Sequence, residues 1–257
     1  MIFDKILYIN MNKRKDRNLN IINLLTKYNL LDISERIEGI DGNKLKMNDT
    51  IVKQNITKTG INDVINNNGL YITLTKGGIG CALSHKKCYE YIIKNNINHC
   101  LILEDDIILP NDFIQRLKYL SNNYVSLDEN YDMLFLGYHN AHINTKIDNY
   151  EFYFKPERIY GLFGYIVSLE GAKKLLNIFP LTLQIDSEIS NNLNKLNAYC
   201  LNKNFCMIYS EPSSSVSQFG TDIQVYHNMV NMMDIYIIII IVIIIAIIFF
   251  SSKIKIN

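Results

Sequence analysis

The stretch that most restricts how this chain can fold is His99-Cys100-Leu101-Ile102-Leu103-Glu104-Asp105-Asp106-Ile107-Ile108-Leu109-Pro110. A short apolar run ends in three consecutive carboxylates, and a second apolar run follows. The first run reads as a buried strand of an α/β sheet, being short, bounded and branched. Three adjacent acids repel one another and are costly unless something cationic sits beside them. In an extended chain side chains alternate, so Glu104 and Asp106 point one way and Asp105 the other. That pair suits a hard divalent cation that keeps waters and shares its shell with phosphates. The carboxyl end of a strand is also where open α/β sheets bind ligands. The plainer alternative is a solvated acidic turn.

The rest of the chain reads as the frame of such a sheet. Lys5 to Asn10 is a first strand, followed by the basic loop Asn12-Lys13-Arg14-Lys15-Asp16-Arg17. Ile21, Leu24, Leu25 and Tyr28 then recur at helical spacing. Ser34 to Glu38 is a second strand, ending in Gly39-Ile40-Asp41-Gly42. Residues 43–70 are polar and Asn-rich, an irregular excursion with short helical pieces. Thr75-Lys76-Gly77-Gly78 opens a helix whose stripe is Cys81, Ser84, His85, Cys88, Tyr91 and Ile92. Ser and His on the buried face of a helix start suggest a site, since free N–H groups there attract anions. A hydrogen-bonded core histidine is the alternative for His85.

Asp112 is placed to cap a helix through Phe113, Ile114, Leu117 and Leu120. Tyr131 to Gly137 is a buried strand, and Tyr160 to Ser168 a glycine-punctuated one. Ser168 can cap a helix through Leu175 and Leu176, and Asp186 the next; Phe205 to Tyr209 is a last strand. The 257 residues suffice for one α/β domain with a real core. Net charge is +1, so bulk electrostatics give no support to nucleic-acid binding. The five cysteines, Cys81, Cys88, Cys100, Cys200 and Cys206, are odd in number and lack a Cys-x-x-Cys pair. Buried thiols in a reducing compartment are the expected reading.

The C-terminus has a different character. From Ile235 to Phe250 every residue is apolar or Tyr, and Lys253 and Lys255 follow. A bilayer is crossed by about 17–25 residues, so a span over 233–252 is expected to be a transmembrane tail anchor, with 253–257 a short basic tail. No signal peptide is read at Met1 to Asn10, so the domain is expected on the cytosolic side of its membrane, although Lys253 and Lys255 pull the other way under the positive-inside rule.

Six motifs in order resemble glycosyltransferase family 25, which includes lipooligosaccharide and procollagen galactosyltransferases. They are Ile9-Asn10-Met11-Asn12-Lys13-Arg14-Lys15-Asp16-Arg17, Ile37-Glu38-Gly39-Ile40-Asp41-Gly42 and Leu74 to His85. Leu101 to Asp106, Gly164 to Ser168 with Gly171 to Leu176, and Ile185-Asp186 complete the series. Met11 replaces the family's usual Leu, and the Ile-rich tail is not a family feature.

The resemblance implies a GT-A type fold, an α/β single domain over 1–228 with a central, mostly parallel mixed sheet. It implies a UDP-sugar donor, Mn²⁺ or Mg²⁺, and an inverting transfer of galactose or glucose to a glycan or hydroxylysine-type protein acceptor. Glu104 and Asp106 would hold the metal, with Asp222 (or His227) a distal ligand. Asn10, Arg14, Arg17, Asp41, Ser84 and Asp105 would meet the donor nucleotide or its sugar. His85 would lie under the donor, and Asp186 would be the catalytic base. A catalytically inactive, membrane-anchored scaffold of the same fold is the alternative.

Overall fold

The computed structural model describes residues 2–66, 73–123, 130–143 and 152–210. All belong to the first of two units, Met1–Gly220; the second unit, Thr221–Asn257, lies outside the described residues.

In chain order, β1 (Lys5–Asn10) leads through α1 (Lys15–Lys27) to β2 (Ser34–Glu38). The polar excursion carries α2 (Thr50–Asn55) and α3 (Lys58–Asn66), and the long α4 (Lys76–Lys94) follows. Next come β3 (His99–Glu104), the two-residue β4 (Ile107–Ile108), α5 (Phe113–Asn123) and β5 (Met133–Gly137). β6 (Asn140–Ile143), β7 (Tyr153–Phe154) and β8 (Pro156–Tyr160) precede β9 (Gly164–Ser168) and α6 (Leu169–Leu176). The described chain closes with α7 (Ile185–Asn191), β10 (Ala198–Leu201) and β11 (Tyr209–Ser210).

The main sheet has the order β2-β1-β3-β9-β5-β10-β7. β1 pairs parallel with both β2 and β3, and β10 parallel with β5. β9 runs antiparallel between β3 and β5, and β7 antiparallel to β10. Most strands therefore point the same way, giving the expected mixed, mostly parallel α/β sheet. Its register sets Ile9 beside Glu104 and Asn10 beside Glu38, so the carboxyl ends of β1, β2 and β3 share one edge.

Period-two alternation divides the core between the two faces of the sheet. Leu7, Ile102, Phe135, Tyr165 and Val167 pack with Ile79, Leu83 and Ile92 of α4 and Leu175 of α6. Ile6, Tyr8, Leu101, Leu103 and Ile166 pack with Ile21 and Leu25 of α1 and Phe113 and Leu117 of α5. Each such fully buried Leu, Ile or Phe side chain contributes about 1.5–3 kcal/mol, so helix position is fixed mainly by these stripes.

α4 starts where its sequence says it should: Thr75 Oγ1 accepts from the Gly78 N–H at 3.0 Å. Ser168 caps α6 in the same way, accepting from Gly171 at 3.0 Å. Two other expectations change. Asp186 does not cap α7: Gln184 holds that position, and Asp186 sits in the first turn. The stretch Tyr160 to Ser168 is broken at Gly161, whose φ of 101° makes a left-handed turn between β8 and β9. The last strand of the main sheet is also earlier than expected. β10 fills that place, whereas Phe205 to Tyr209 yields only β11, paired with β4.

Among the described residues no helix is long and apolar enough to cross a membrane. The Ile-rich span at 233–252 and the basic tail at 253–257, expected to anchor the chain, lie outside the described residues.

Candidate functional site

β3 ends at Glu104, and Asp105 and Asp106 form the turn into β4. The alternation expected of an extended chain therefore stops at Glu104. Glu104 continues the Cys100–Ile102 face and meets α4: its Oε1 lies 3.4 Å from His85 Nε2. Asp105 faces the other way, is 6% exposed, and has both oxygens engaged. Its Oδ2 accepts from Asn10 Nδ2 at 2.6 Å and its Oδ1 from Arg17 Nη1 at 3.1 Å. Asp106 stands between the two groups, with Oδ2 3.1 Å from the same Arg17 Nη1. Its Oδ1 is buried and has no hydrogen-bond partner among the described residues.

This arrangement concentrates charge. Burial, then the neighbouring Glu104 carboxylate, raises the Asp106 carboxyl to about 7, against the opposing pull of Arg17. Burial also raises Asp105, with Arg17 and Asn10 opposing it. The Arg17 guanidinium is shared by Asp105 and Asp106, while Glu104 meets His85, so the three acids of the turn outnumber the guanidinium that pairs with them. A divalent cation would suit this donor set: Asp106 Oδ1 is a hard oxygen with no hydrogen-bond partner among the described residues, and the Glu104 carboxylate is close enough to raise the Asp106 carboxyl.

The basic loop supports the acids from beneath. Asn10, 1% exposed, donates to the Arg14 carbonyl at 3.0 Å as well as to Asp105. Arg36 on β2 donates to Asn10 Oδ1 at 3.0 Å and to the Asn10 carbonyl at 3.0 Å. Arg17 is 7% exposed and held by the acids. Arg14 lies at the rim, bonded to Asp16 at 2.9 Å. Asp41 accepts from the Asn43 N–H at 3.2 Å and pairs with Lys13 at 3.1 Å.

Ser84 is a tie between elements. Its Oγ donates to Gly80 O at 2.6 Å and accepts from the Ile40 N–H at 2.8 Å, fixing α4 to the loop after β2. The glycines beside it allow that approach. A Cβ on Gly80 would stand 2.5 Å from Ile40 O, and one on Gly42 only 1.8 Å from Lys76 O. The glycine-rich start of α4 is thus a packing surface.

His85 is 1% exposed and ends a buried chain of polar groups. Its Nδ1 lies 2.8 Å from Tyr165 Oη, which lies 2.9 Å from Tyr89 Oη. Burial raises both phenols above their ordinary range, so they stay protonated. Cys81, one turn before His85, completes a group: its Sγ and ligand atoms of His85 and Glu104 all lie within 4.8 Å of one another. Burial pushes the Cys81 thiol up, and Glu104, Asp186 and Asp106 push it further, which brings Asp186 into the same electrostatic neighbourhood. Asp186 accepts from the Gly161 N–H at 3.3 Å and from the Ser187 N–H at 2.7 Å.

The structure thus gathers Asn10, Arg17, Glu104, Asp105, Asp106 and His85 around the ends of β1 and β3, with Asp186 near enough to act on the Cys81 thiol. Arg14 and Asp41 lie on the adjoining loops, and Ser84 behind them. Asp222 and His227 lie outside the described residues. Arg36, Tyr89 and Tyr165 were not legible as site residues. Arg36 and Tyr165 sit within strands, where the signal is alternation, and Tyr89 falls off the helical stripe of polar groups.

The family model described as Glycosyltransferase family 25 (LPS biosynthesis protein) matches residues 3–189. Procollagen galactosyltransferase 2 of Homo sapiens is 27% identical over 201 residues, covering 76% of this chain and 31% of that protein. Procollagen galactosyltransferase 1-B of Xenopus laevis is 28% identical over 186 residues, covering 70% of this chain and 29% of that protein. A Rattus norvegicus relative named probable inactive glycosyltransferase 25 family member 3 is 27% identical, covering 70% of this chain and 30% of that protein. The chain spans about three-tenths of the length of these curated relatives.

Proposed function

The chain belongs to glycosyltransferase family 25, and from that membership we propose that it transfers a hexose, galactose or glucose, from a UDP-sugar to a hydroxyl of a glycan or protein acceptor. The observation that carries this reading is the acid turn. Arg17 and Asn10 occupy Asp105, which leaves Asp106 Oδ1 and Glu104 for a cation.

Glu104 and Asp106 would hold Mn²⁺ or Mg²⁺, which would stabilise the negative charge on a diphosphate leaving group. The protein's own groups do the remaining work. Arg17 fixes the turn so that Asp106 Oδ1 keeps its direction. His85, held from behind by Tyr165, orients Glu104. Lys13, paired with Asp41, and Arg14, paired with Asp16, are the rim cations that would meet a phosphate or ribose.

The transfer is an inverting displacement in this reading. The acceptor oxygen bonds to the anomeric carbon, the bond to UDP breaks, and its electron pair leaves with the diphosphate. Asp186 takes the acceptor hydroxyl's proton; the Gly161 and Ser187 N–H groups hold its carboxylate in place. Membrane anchoring by the Ile-rich tail forms part of the same proposal.

The test is UDP release by the full chain in detergent micelles, offered several UDP-sugars with and without Mn²⁺. Metal-dependent release with at least one donor supports the reading. Absence of release with every donor would favour an inactive member of the fold, the description that the rat relative's name gives to that protein.

A further inference from the structure

We propose that Cys81, His85 and Glu104 form a site for a borderline-soft divalent ion of the Zn²⁺ class, sharing Glu104 with the acid turn. Cys81 and His85 are four residues apart on α4, so both side chains leave the same face of the helix one turn apart. Glu104 comes to that face from the end of β3. Thiolate, imidazole and carboxylate are a mixed set that suits Zn²⁺, and Mg²⁺ or Ca²⁺ poorly.

The spacing supports this. His85 Nε2 and Glu104 Oε1 are 3.4 Å apart. Two ligands at about 2.0–2.1 Å from a tetrahedral ion stand about that far apart. Cys81 Sγ completes a triangle no longer than 4.8 Å on any side. A small side-chain rotation closes it.

The second observation lies behind the imidazole. Ligating histidines are held by a partner on their other nitrogen, which sets the tautomer and aims the ring. His85 Nδ1 has such a partner in Tyr165 Oη at 2.8 Å, itself 2.9 Å from Tyr89 Oη. With the proton on Nδ1, His85 donates to Tyr165 and Tyr165 donates to Tyr89. The Nε2 lone pair then faces Glu104. This run of buried hydroxyls serves no packing need that Phe would not meet. Three protein ligands leave a fourth position for water or an inhibitor.

Sharing Glu104 has a functional corollary. A soft ion held at Cys81 and His85 withdraws Glu104 from Asp106, so the two ions antagonise each other. The site does not rest on the hexosyl-transfer reading, because ion binding is read without any donor.

The experiment is a titration of the full chain, reduced and metal-free, with Co²⁺ as a spectroscopic stand-in for Zn²⁺. The expected result is one Co²⁺ per chain, intense tetrahedral bands and a near-ultraviolet thiolate charge-transfer band, all abolished by Zn²⁺. Cys81→Ser should lose the thiolate band, and His85→Gln should weaken binding by about tenfold or more. Cys88→Ala, altering a buried core thiol, should keep the band. Far-ultraviolet circular dichroism confirms that each variant is folded. Weak octahedral Co²⁺ spectra, or a thiolate band that survives in folded Cys81→Ser, would overturn the site. UDP release is scored separately, so failure of either reading is visible without the other.

Discussion

Arg17 on α1 reaches across to the end of β3 and places one nitrogen, Nη1, 3.1 Å from Asp105 Oδ1 and 3.1 Å from Asp106 Oδ2. The guanidinium and Asp105 are both buried, so the ion pair lies where water screens little. It turns a repulsive run of acids into a shaped one, with one carboxylate used for structure and one oxygen of the next left over.

Removing the cation leaves buried carboxylates uncompensated. Arg17→Met is therefore expected to cost about 3–5 kcal/mol of stability, the usual penalty for breaking a buried pair. Urea denaturation measures it. Adding Asp105→Asn should restore part of the loss, because the side-chain amide still meets Asn10. An additive double mutant would show that the pair is not coupled.

Asp106 illustrates the opposite balance. Its carboxyl is raised to about 7, chiefly by burial and then by Glu104, so ionisation there is a burden on the fold. Asp106→Asn should leave the thermal midpoint unchanged or higher. Metal-dependent UDP release should fall by at least about a hundredfold, the loss of a few kcal/mol of charge stabilisation. A variant that keeps turnover would remove Asp106 from the ion's shell.

The join between α4 and the loop after β2 has no spare room. Gly80→Ala sets a methyl 2.5 Å from Ile40 O and 2.6 Å from Gly42 N. Both are backbone atoms, so the helix itself must move, at an expected cost of about 1–3 kcal/mol. The Ser84 tie should weaken with it, and hydrogen exchange at the Ile40 amide reports that directly. Unchanged protection would mean that the helix shifts without loosening the loop.

A pH effect is expected at His99, far from the acids. It stacks on Tyr131 with centroids 5.2 Å apart, and burial lowers its affinity for a proton, with Asp4 opposing. The unfolded chain then binds the proton first. The stability this provides is complete above about pH 6.5 and is lost as pH falls through the lower folded-state value. His99→Phe keeps the stack and should flatten that loss, seen in urea midpoints at about pH 7.5 and about pH 5.5. Identical pH profiles for the two proteins would place the acid sensitivity elsewhere.

Much of the frame was legible because it follows from local rules. The ends of β1 and β2 fall where the sequence set them, and Thr75 and Ser168 cap as their types suggest. What local pattern could not supply was partnership. The basic loop reads as a phosphate grip, yet Arg17 and Asn10 are spent on Asp105, 88 and 95 residues away. Ser84 and His85 read alike as site groups on a helix start, yet Ser84 ties backbone to backbone, and only His85 faces the acids, through Glu104. Asp186 looked like a cap, but the helix begins two residues earlier than its acid suggests, with Gln184 in the cap position.

The strand order β2-β1-β3-β9-β5-β10-β7 has a consequence for how the molecule comes to exist. β1 finds β3 only after some ninety intervening residues, and β9 must then slip between β3 and β5 in the opposite sense. Such pairings close large loops before they return any contact energy, so assembly is expected to be slow. Arg17 and the acid turn sit at the closure of the first of those loops. During synthesis the three carboxylates emerge long after their guanidinium and remain in water until the sheet draws the two together.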